Sequence, residues 1–204
     1  MTTAVTLAAI RRRYGVTFDG PQPIAIPAPR RDLPRLCRDL GMRRGVEVGV
    51  WKGAYSEDFC RALAPAEWLA VDPWCPSAAY REPKNDATLL RQAYVEARGR
   101  LEPLGAQLLR ASSLEAAAHV PDRSLDVVYL DGNHAADFVR ADLEAWTPKL
   151  RPGGLLAGHD YRVPPASKPF LQVKPVVDAW VVAHAIAPWF VLTGDATPSW
   201  FWVV

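Results

Sequence analysis

The sequence predicts an α/β fold: a doubly wound, mostly parallel sheet of seven strands with a C-terminal antiparallel hairpin, preceded by an N-terminal arm. Three observations carry this expectation. Short apolar runs alternate with longer amphipathic ones from residue 36 onward. The run at 125–130 is almost uninterrupted, as suits a strand covered on both faces. Glycine-bearing turns also separate the two kinds of run.

In chain order, a helical pattern around Leu7, Ile10 and Tyr14 leads into a Pro-rich stretch, 21–34, that is not expected to form a regular helix. Residues 1–34 are therefore an arm or cap, and 35–204 form the domain. A strand at 45–50, a helix at 55–63, a strand at 68–71 and a helix at 87–101 follow. Next come a strand at 106–109, a short helix at 114–118, the strand at 125–130 and a helix at 135–150. Gly153 and Gly154, after Pro152, are expected to turn the chain into a strand at 155–158. A Pro-rich loop at 164–169 precedes a helix at 173–186, and strands at 189–193 and 200–204 read as a hairpin. Repeated β/α units imply right-handed crossovers and a Rossmann-like sheet.

Composition narrows the function classes. The chain has 204 residues, 50% hydrophobic and 23% charged, enough for one compact domain with a sizeable core. Lys and Arg number 24 against 22 for Asp and Glu, and a net charge of +2 supplies no field for nucleic acid. No apolar stretch reaches the roughly 18 residues of a membrane span, and no signal-peptide core opens the chain, so a cytoplasmic protein with no membrane partner is expected. Cys37, Cys60 and Cys75 have no metal-knuckle or disulfide spacing and are expected to be reduced thiols, Cys60 as core.

In such a sheet, ligands bind beyond the carboxyl ends of the strands. Glu47 and Gly49, toward the end of the first expected strand, and Gly53 beyond it lie in a segment, 46–56, that opens a helix, where glycine permits a tight turn and close approach of a ligand to the backbone. Asp72 follows the second strand, 25 residues beyond Glu47, and can accept hydrogen bonds from two ribose hydroxyls. Together they point to a nucleoside-containing cofactor. Lys52 precedes Gly53 and Ala54, so the loop is not a Walker phosphate cradle, and GxGxxG is missing as well, against a nicotinamide oxidoreductase. After the next two buried strands stand Asp131-Gly132-Asn133-His134 and Gly158-His159-Asp160-Tyr161. Two carboxylates and two imidazoles at neighbouring strand ends suit a divalent metal, a general base, or both. Asp131 and Asp160 alone suit Mg²⁺ or Mn²⁺, and ligation by His134 and His159 as well would favour a softer transition metal.

The ordered segments Glu-Val-Gly-Val-Trp-Lys-Gly-Ala-Tyr-Ser at 47–56, Val-Asp-Pro-Trp at 71–74, Tyr-Leu-Asp-Gly-Asn-His at 129–134, Leu-Arg-Pro-Gly-Gly at 150–154 and Gly-His-Asp-Tyr at 158–161 carry a resemblance. The chain resembles class I S-adenosylmethionine-dependent methyltransferases, within them the small bacterial group related to macrolide-sugar (macrocin-type) O-methyltransferases. The likeness runs from residue 45 to the end, about four fifths of the chain, and includes Leu-Thr-Gly-Asp at 192–195.

The resemblance implies methyl transfer from S-adenosylmethionine to a small-molecule acceptor, at a hydroxyl oxygen, with a base or a divalent cation such as Mg²⁺ assisting. Glu47, Gly49 and Gly53 would line the methionine side of the cofactor and Asp72 would hold the ribose. Ser112 and Ser113 would meet the adenine, with Trp51, Ser56, Pro73, Trp74 and Asp131 completing the cofactor site. Trp51 is placed to shape that pocket or to stabilise the sulfonium by roughly 0.5–2 kcal/mol. Asp131 and His134 would be catalytic, His134 as base, and Asp131, His159 and Asp160 would hold a metal. His159 departs from the family, where an acidic residue stands. The competing reading is a nucleoside-binding module without catalysis that uses arm and loops to bind a partner.

Structural alternatives accompany each residue: caps for Glu47 and Asp72, a turn for Asp131, a cap for His134, mutual orientation for His159 and Asp160, and packing for Tyr161. Substrate choice is expected in the loops 73–86 and 162–171 and in the arm. The alternating Trp200, Phe201 and Trp202 predict one buried face, leaving the other able to contact a second copy in a homodimer.

Overall fold

A computed structural model of the chain describes residues 2–80 and 85–204; the expected substrate loop at 73–86 thus lies partly outside the described residues. The helices are α1 (Thr3–Tyr14), α2 (Asp32–Asp39), α3 (Ala54–Leu63), α4 (Ala87–Leu101), α5 (Ser113–His119), α6 (Ala136–Trp146) and α7 (Val173–Ala183). The strands are β1 (Ile24–Ile26), β2 (Arg44–Val48), β3 (Glu67–Val71), β4 (Gln107–Leu109), β5 (Leu125–Leu130), β6 (Leu150–Gly158), β7 (Trp189–Leu192) and β8 (Ser199–Val203).

The eight strands form one sheet in the order β1-β7-β8-β6-β5-β2-β3-β4. All neighbours are parallel except at β8, which runs antiparallel to both β6 and β7 and forms the expected hairpin with β7. From β1 at one edge the chain crosses to β2, moves outward through β3 to β4, then returns to place β5 on the other side of β2. Strand order therefore reverses between β2 and β5, and the crevice beyond their carboxyl ends is the natural ligand position. All six residues of β5 are buried, as its apolar run predicts.

Four local departures have physical reasons. The Pro-rich stretch contributes β1, an eighth strand that pairs in parallel with β7. Its three residues lie between Pro23 and Pro27, which an edge strand tolerates because only one side must pair. The helix α2 begins inside the same stretch, correcting the expectation of no regular helix there. Pro34 lies in its first turn, where a backbone N–H has no intrahelical partner to lose, and Leu33, Leu36 and Cys37 anchor it in the core. Pro152, Gly153 and Gly154 do not precede the strand as a turn but lie within β6, with Gly153 at φ 83° and a register shift opposite Leu125 and Val127. From Leu125–Leu150 to Val127–Leu155 β5 advances two residues and β6 five, so three extra residues of β6 form an enlarged bulge in a continuing strand.

Finally, Trp200, Phe201 and Trp202 are all buried, because β8 lies inside the sheet with both faces covered. Neither face is left for a second copy. Phe201 packs with Phe190 on one side, while Trp200 and Trp202 stack at 4.8 Å on the other. Cys60 is core, as expected, and no helix among the described residues is long and apolar enough to cross a membrane.

Candidate active site

The ends of β2 and β5 interlock through Gly49. Its φ is 88°, and a Cβ there would lie 2.1 Å from the Asp131 carbonyl oxygen, so no side chain fits. The Gly49 N–H donates to Val71 O and the Asp131 N–H to Val48 O, each at 2.8 Å. These bonds bring the side chains that follow β2, β3 and β5 together at the switch point.

Glu47 is 2% exposed. Ser56 Oγ donates to its carboxylate and accepts from Trp68 Nε1 at 2.9 Å, which ties the first turn of α3 to β2 and β3. Burial pushes the Glu47 carboxyl up to about 8 despite the Ser56 bond, and the nearby Asp131 and Asp72 add to the effect. Glu47 is thus mainly protonated at neutral pH, and a cationic ligand would favour its ionisation.

Asp72 accepts the Trp51 N–H at 2.9 Å on one oxygen and the Trp74 N–H at 2.8 Å on the other. Both tryptophans have left-handed backbones, with φ 52° and 41°, and Trp74 Nε1 donates to Trp51 O at 2.7 Å. Asp72 therefore organises two tight turns.

The two Asp/His segments converge as their spacing predicts. His134 Nε2 lies 3.1 Å from Asp160 Oδ2 and 3.4 Å from Asp131 Oδ1. His159 Nδ1 lies 3.5 Å from Asp160 Oδ2 and 3.8 Å from Asp131 Oδ1. Burial disfavours the Asp160 carboxylate, but hydrogen bonds from His134 and His159 outweigh it and hold the group well below the usual carboxylate range. Ligand atoms of Asp131, His134 and Asp160 all lie within 4.8 Å of one another, a donor set suited to a divalent cation. His159, expected as a ligand with Asp131 and Asp160, stands at the edge of this tighter group.

A family model described as "Methyltransferase domain" matches residues 46–161, more than half of the chain, and this span contains the glycine turn, Asp72 and the Asp/His cluster. The chain belongs to this methyltransferase domain family. A curated relative, "Uncharacterized protein y4gI" of Sinorhizobium fredii, is 33% identical over 136 residues, or 63% of the chain. The chain spans only 14% of that relative's length. Among solved structures, the O-methyltransferase from Bacillus cereus in complex with SAH has a TM-score of 0.63 at 15% identity, covering 98% of this chain and 88% of the other. The O-methyltransferase TomG from Streptomyces achromogenes, involved in tomaymycin synthesis and solved with SAM, has a TM-score of 0.59 at 17% identity, covering 99% and 89%. These structures share the fold of the methyltransferase domain described above.

Other expected site residues of the methyltransferase domain have visible structural duties. Gly53 caps α3 at φ 80°, and a Cβ there would press on Ala97 Cα at 3.1 Å, so its smallness serves the packing of α3 on α4. Ser112 caps α5 in a reciprocal pair with Glu115, and Ser113 Oγ accepts from Trp146 Nε1 at 2.8 Å. Pro73 is exposed, whereas Trp74 is buried and packs against Tyr94 at 5.1 Å. Tyr161 is a packing residue: its hydroxyl donates to Asp178 at 2.6 Å and its ring meets the Trp189 ring edge-on.

One residue that sequence reasoning missed stands at the site. Arg30, from the arm, has Nη1 3.7 Å from Asp131 Oδ2 and its guanidinium 4.6 Å from the Tyr55 ring centroid. An arginine beside a proline in an irregular segment gives no local signal. Only the docking of the arm reveals it.

Proposed function

We propose that the domain transfers the methyl group of S-adenosylmethionine to a hydroxyl oxygen of a small molecule. The observation that carries this reading is the juxtaposition, at one switch point, of the Asp72 carboxylate with the Asp131–His134–Asp160 cluster. The first suits a ribose and the second suits removal of a proton. S-adenosylmethionine, when bound, supplies an activated methyl on a positively charged sulfur. The chain's own task is then mostly alignment and exclusion of water.

In this reading Asp72 accepts the ribose hydroxyls, Gly49 lets the backbone approach the ligand, and Trp51, Ser56, Pro73 and Trp74 shape the pocket around it. Gly53 supports that turn, and Ser112 and Ser113 border the adenine side. Glu47 faces the amino group of the methionine moiety. His134 takes the acceptor's proton, and Asp160 and Asp131, beside its Nε2, stabilise the imidazolium that results. The arm at 1–34 caps the domain at 35–204 and, with 162–171, borders the acceptor.

A second reading rests on the 4.8 Å grouping of ligand atoms. Here Asp131, His134 and Asp160, or His159 in place of His134, hold Mg²⁺ or another divalent cation. Such an ion would lower the pKa of an acceptor hydroxyl. Ligation by His134 would remove it as a base, leaving it a ligand alone.

Calorimetry with S-adenosylmethionine on metal-stripped protein tests the proposal, repeated with Mg²⁺ and with Mn²⁺. Micromolar binding that weakens in Asp72→Ala is expected; absence of binding under all three conditions overturns it. Transfer of labelled methyl to hydroxyl acceptors without metal would support His134 as base. Transfer that needs metal would favour the second reading.

A further inference from the structure

Arg30 is held too deliberately for a surface residue. Its N–H donates to Asp195 at 2.6 Å, and its carbonyl accepts the Tyr55 hydroxyl at 2.9 Å. The preceding residues are tied to the segment after β7, where Thr193 N–H donates to Ile26 O and Gly194 N–H to Ala28 O. A Cβ on Gly194 would lie 2.5 Å from the Ala28 carbonyl carbon, so the two segments meet backbone to backbone. The arm thus carries a fixed guanidinium over the Tyr55 ring and toward the β2–β5 crevice.

The crevice is otherwise acidic. Glu47, Asp72, Asp131 and Asp160 follow or end neighbouring strands. Lys52, on the first loop, is turned to Glu96 at 3.0 Å, Arg162 meets Asp160 at 3.3 Å, and Lys174 meets Asp178 at 2.6 Å. Arg30 is close enough to favour the ionised form of Glu47 against burial. Tyr129 engages part of its guanidinium, yet Nη1 is 3.7 Å from Asp131, beyond hydrogen-bond range, and the side chain is 33% exposed. A guanidinium has five donors in a planar fork matched to a carboxylate.

We propose that Arg30 anchors the α-carboxylate of the methionine moiety of S-adenosylmethionine, so that the arm completes the cofactor site. This inference rests on the cofactor reading above. The ligand's ammonium and sulfonium suit a crevice lined by acids, but its carboxylate would be repelled there without a cation. Glu47 and Arg30 form a complementary pair for the two charges of an amino-acid headgroup. The arm then serves more than as a cover: its register on β7 sets where the cofactor's tail lies.

Calorimetry with two ligands, S-adenosylmethionine and its decarboxylated analogue, tests this on the full chain. Wild-type protein should bind the decarboxylated ligand about 10- to 100-fold more weakly, the worth of a charge-assisted hydrogen-bond pair. Arg30→Gln should lose a similar factor toward S-adenosylmethionine and almost none toward the analogue, while Arg30→Lys should recover part of the loss. Equal affinities in the wild type overturn the proposal without any variant. Equal losses for both ligands in Arg30→Gln also overturn it, showing a merely structural residue. Failure of the wild type to bind either ligand instead removes the cofactor reading, and this inference with it.

Discussion

Strand β5 has an aspartate toward each end, and the two live under opposite regimes. Asp126, near its amino end, is 7% exposed and accepts the Arg43 N–H at 2.6 Å, the Arg44 N–H at 2.9 Å and Arg151 Nε. Burial disfavours its charge, but these bonds outweigh burial and lower its pKa. Asp131, just past the carboxyl end, has His134 at 3.4 Å, Arg30 at 3.7 Å and His159 at 3.8 Å around its carboxylate. One acid has its acceptors filled by close donors; the other has one long hydrogen bond, to His134, with Arg30 and His159 beyond hydrogen-bond range. Acceptor capacity left open beside donor groups is what a binding site needs, whereas closed capacity belongs to the scaffold.

The largest expected effect separates the two acids by activity. Asp131→Asn keeps the shape and removes the charge, so methyl transfer should fall about 10²- to 10⁴-fold, the usual worth of acid–base assistance. Its thermal midpoint should stay within about 2 °C of wild type, because no close bond is lost. A midpoint drop comparable to that of a scaffold acid would break the contrast. Asp126→Ala is the reciprocal case: it strips the partner from Arg151 and two backbone donors, and should lower stability by about 3 kcal/mol in urea unfolding. Because the folded pKa of Asp126 is lowered, its contribution is present above the unfolded pKa and disappears as pH falls through the folded one. The stability difference between wild type and Asp126→Ala should therefore shrink below about pH 4. A difference independent of acid pH would assign Asp126 a packing role instead.

The contrast between the ends of β5 also marks what the sequence discloses. Periodicity is a local property, so the alternating β/α elements and the hairpin could be read from residues 45–204. The rule that ligands lie beyond carboxyl strand ends then selected Glu47, Asp72, Asp131, His134, His159 and Asp160, and the structure brings their segments to one crevice. What escaped was non-local. The strand β1 has three residues and exists because β7 offers an edge; its pattern alone is too short to register. Arg30 acquires meaning only through that docking. Likewise, Gly53 and Ser112 carry structural duties set by α4 and by Glu115, which motif position alone does not reveal.

Glu47 sharpens the comparison because it is an acid buried on the open side, and its expected effect on stability has the opposite sign to that of Asp126. In the folded chain its pKa is about 8, against 4.5 for the ordinary group. Between these values the unfolded chain ionises while the folded chain keeps the proton, so stability contributed at low pH is lost as pH rises from the lower value to the upper. Glu47→Gln removes that titration. It should be more stable than wild type by up to about 3 kcal/mol at pH 7, with the gain growing across that interval and fading toward pH 4. Binding should move the opposite way, because an ammonium group needs the carboxylate that burial suppresses. Wild-type affinity for S-adenosylmethionine should rise as pH approaches 8, with proton release visible as a dependence of the binding heat on the buffer's ionisation enthalpy. The Gln variant should bind weakly and release no such proton. A variant that is less stable than wild type at pH 7, yet binds equally well, would move Glu47 to the scaffold beside Asp126 and leave Asp131 as the acid that distinguishes the two ends of the strand.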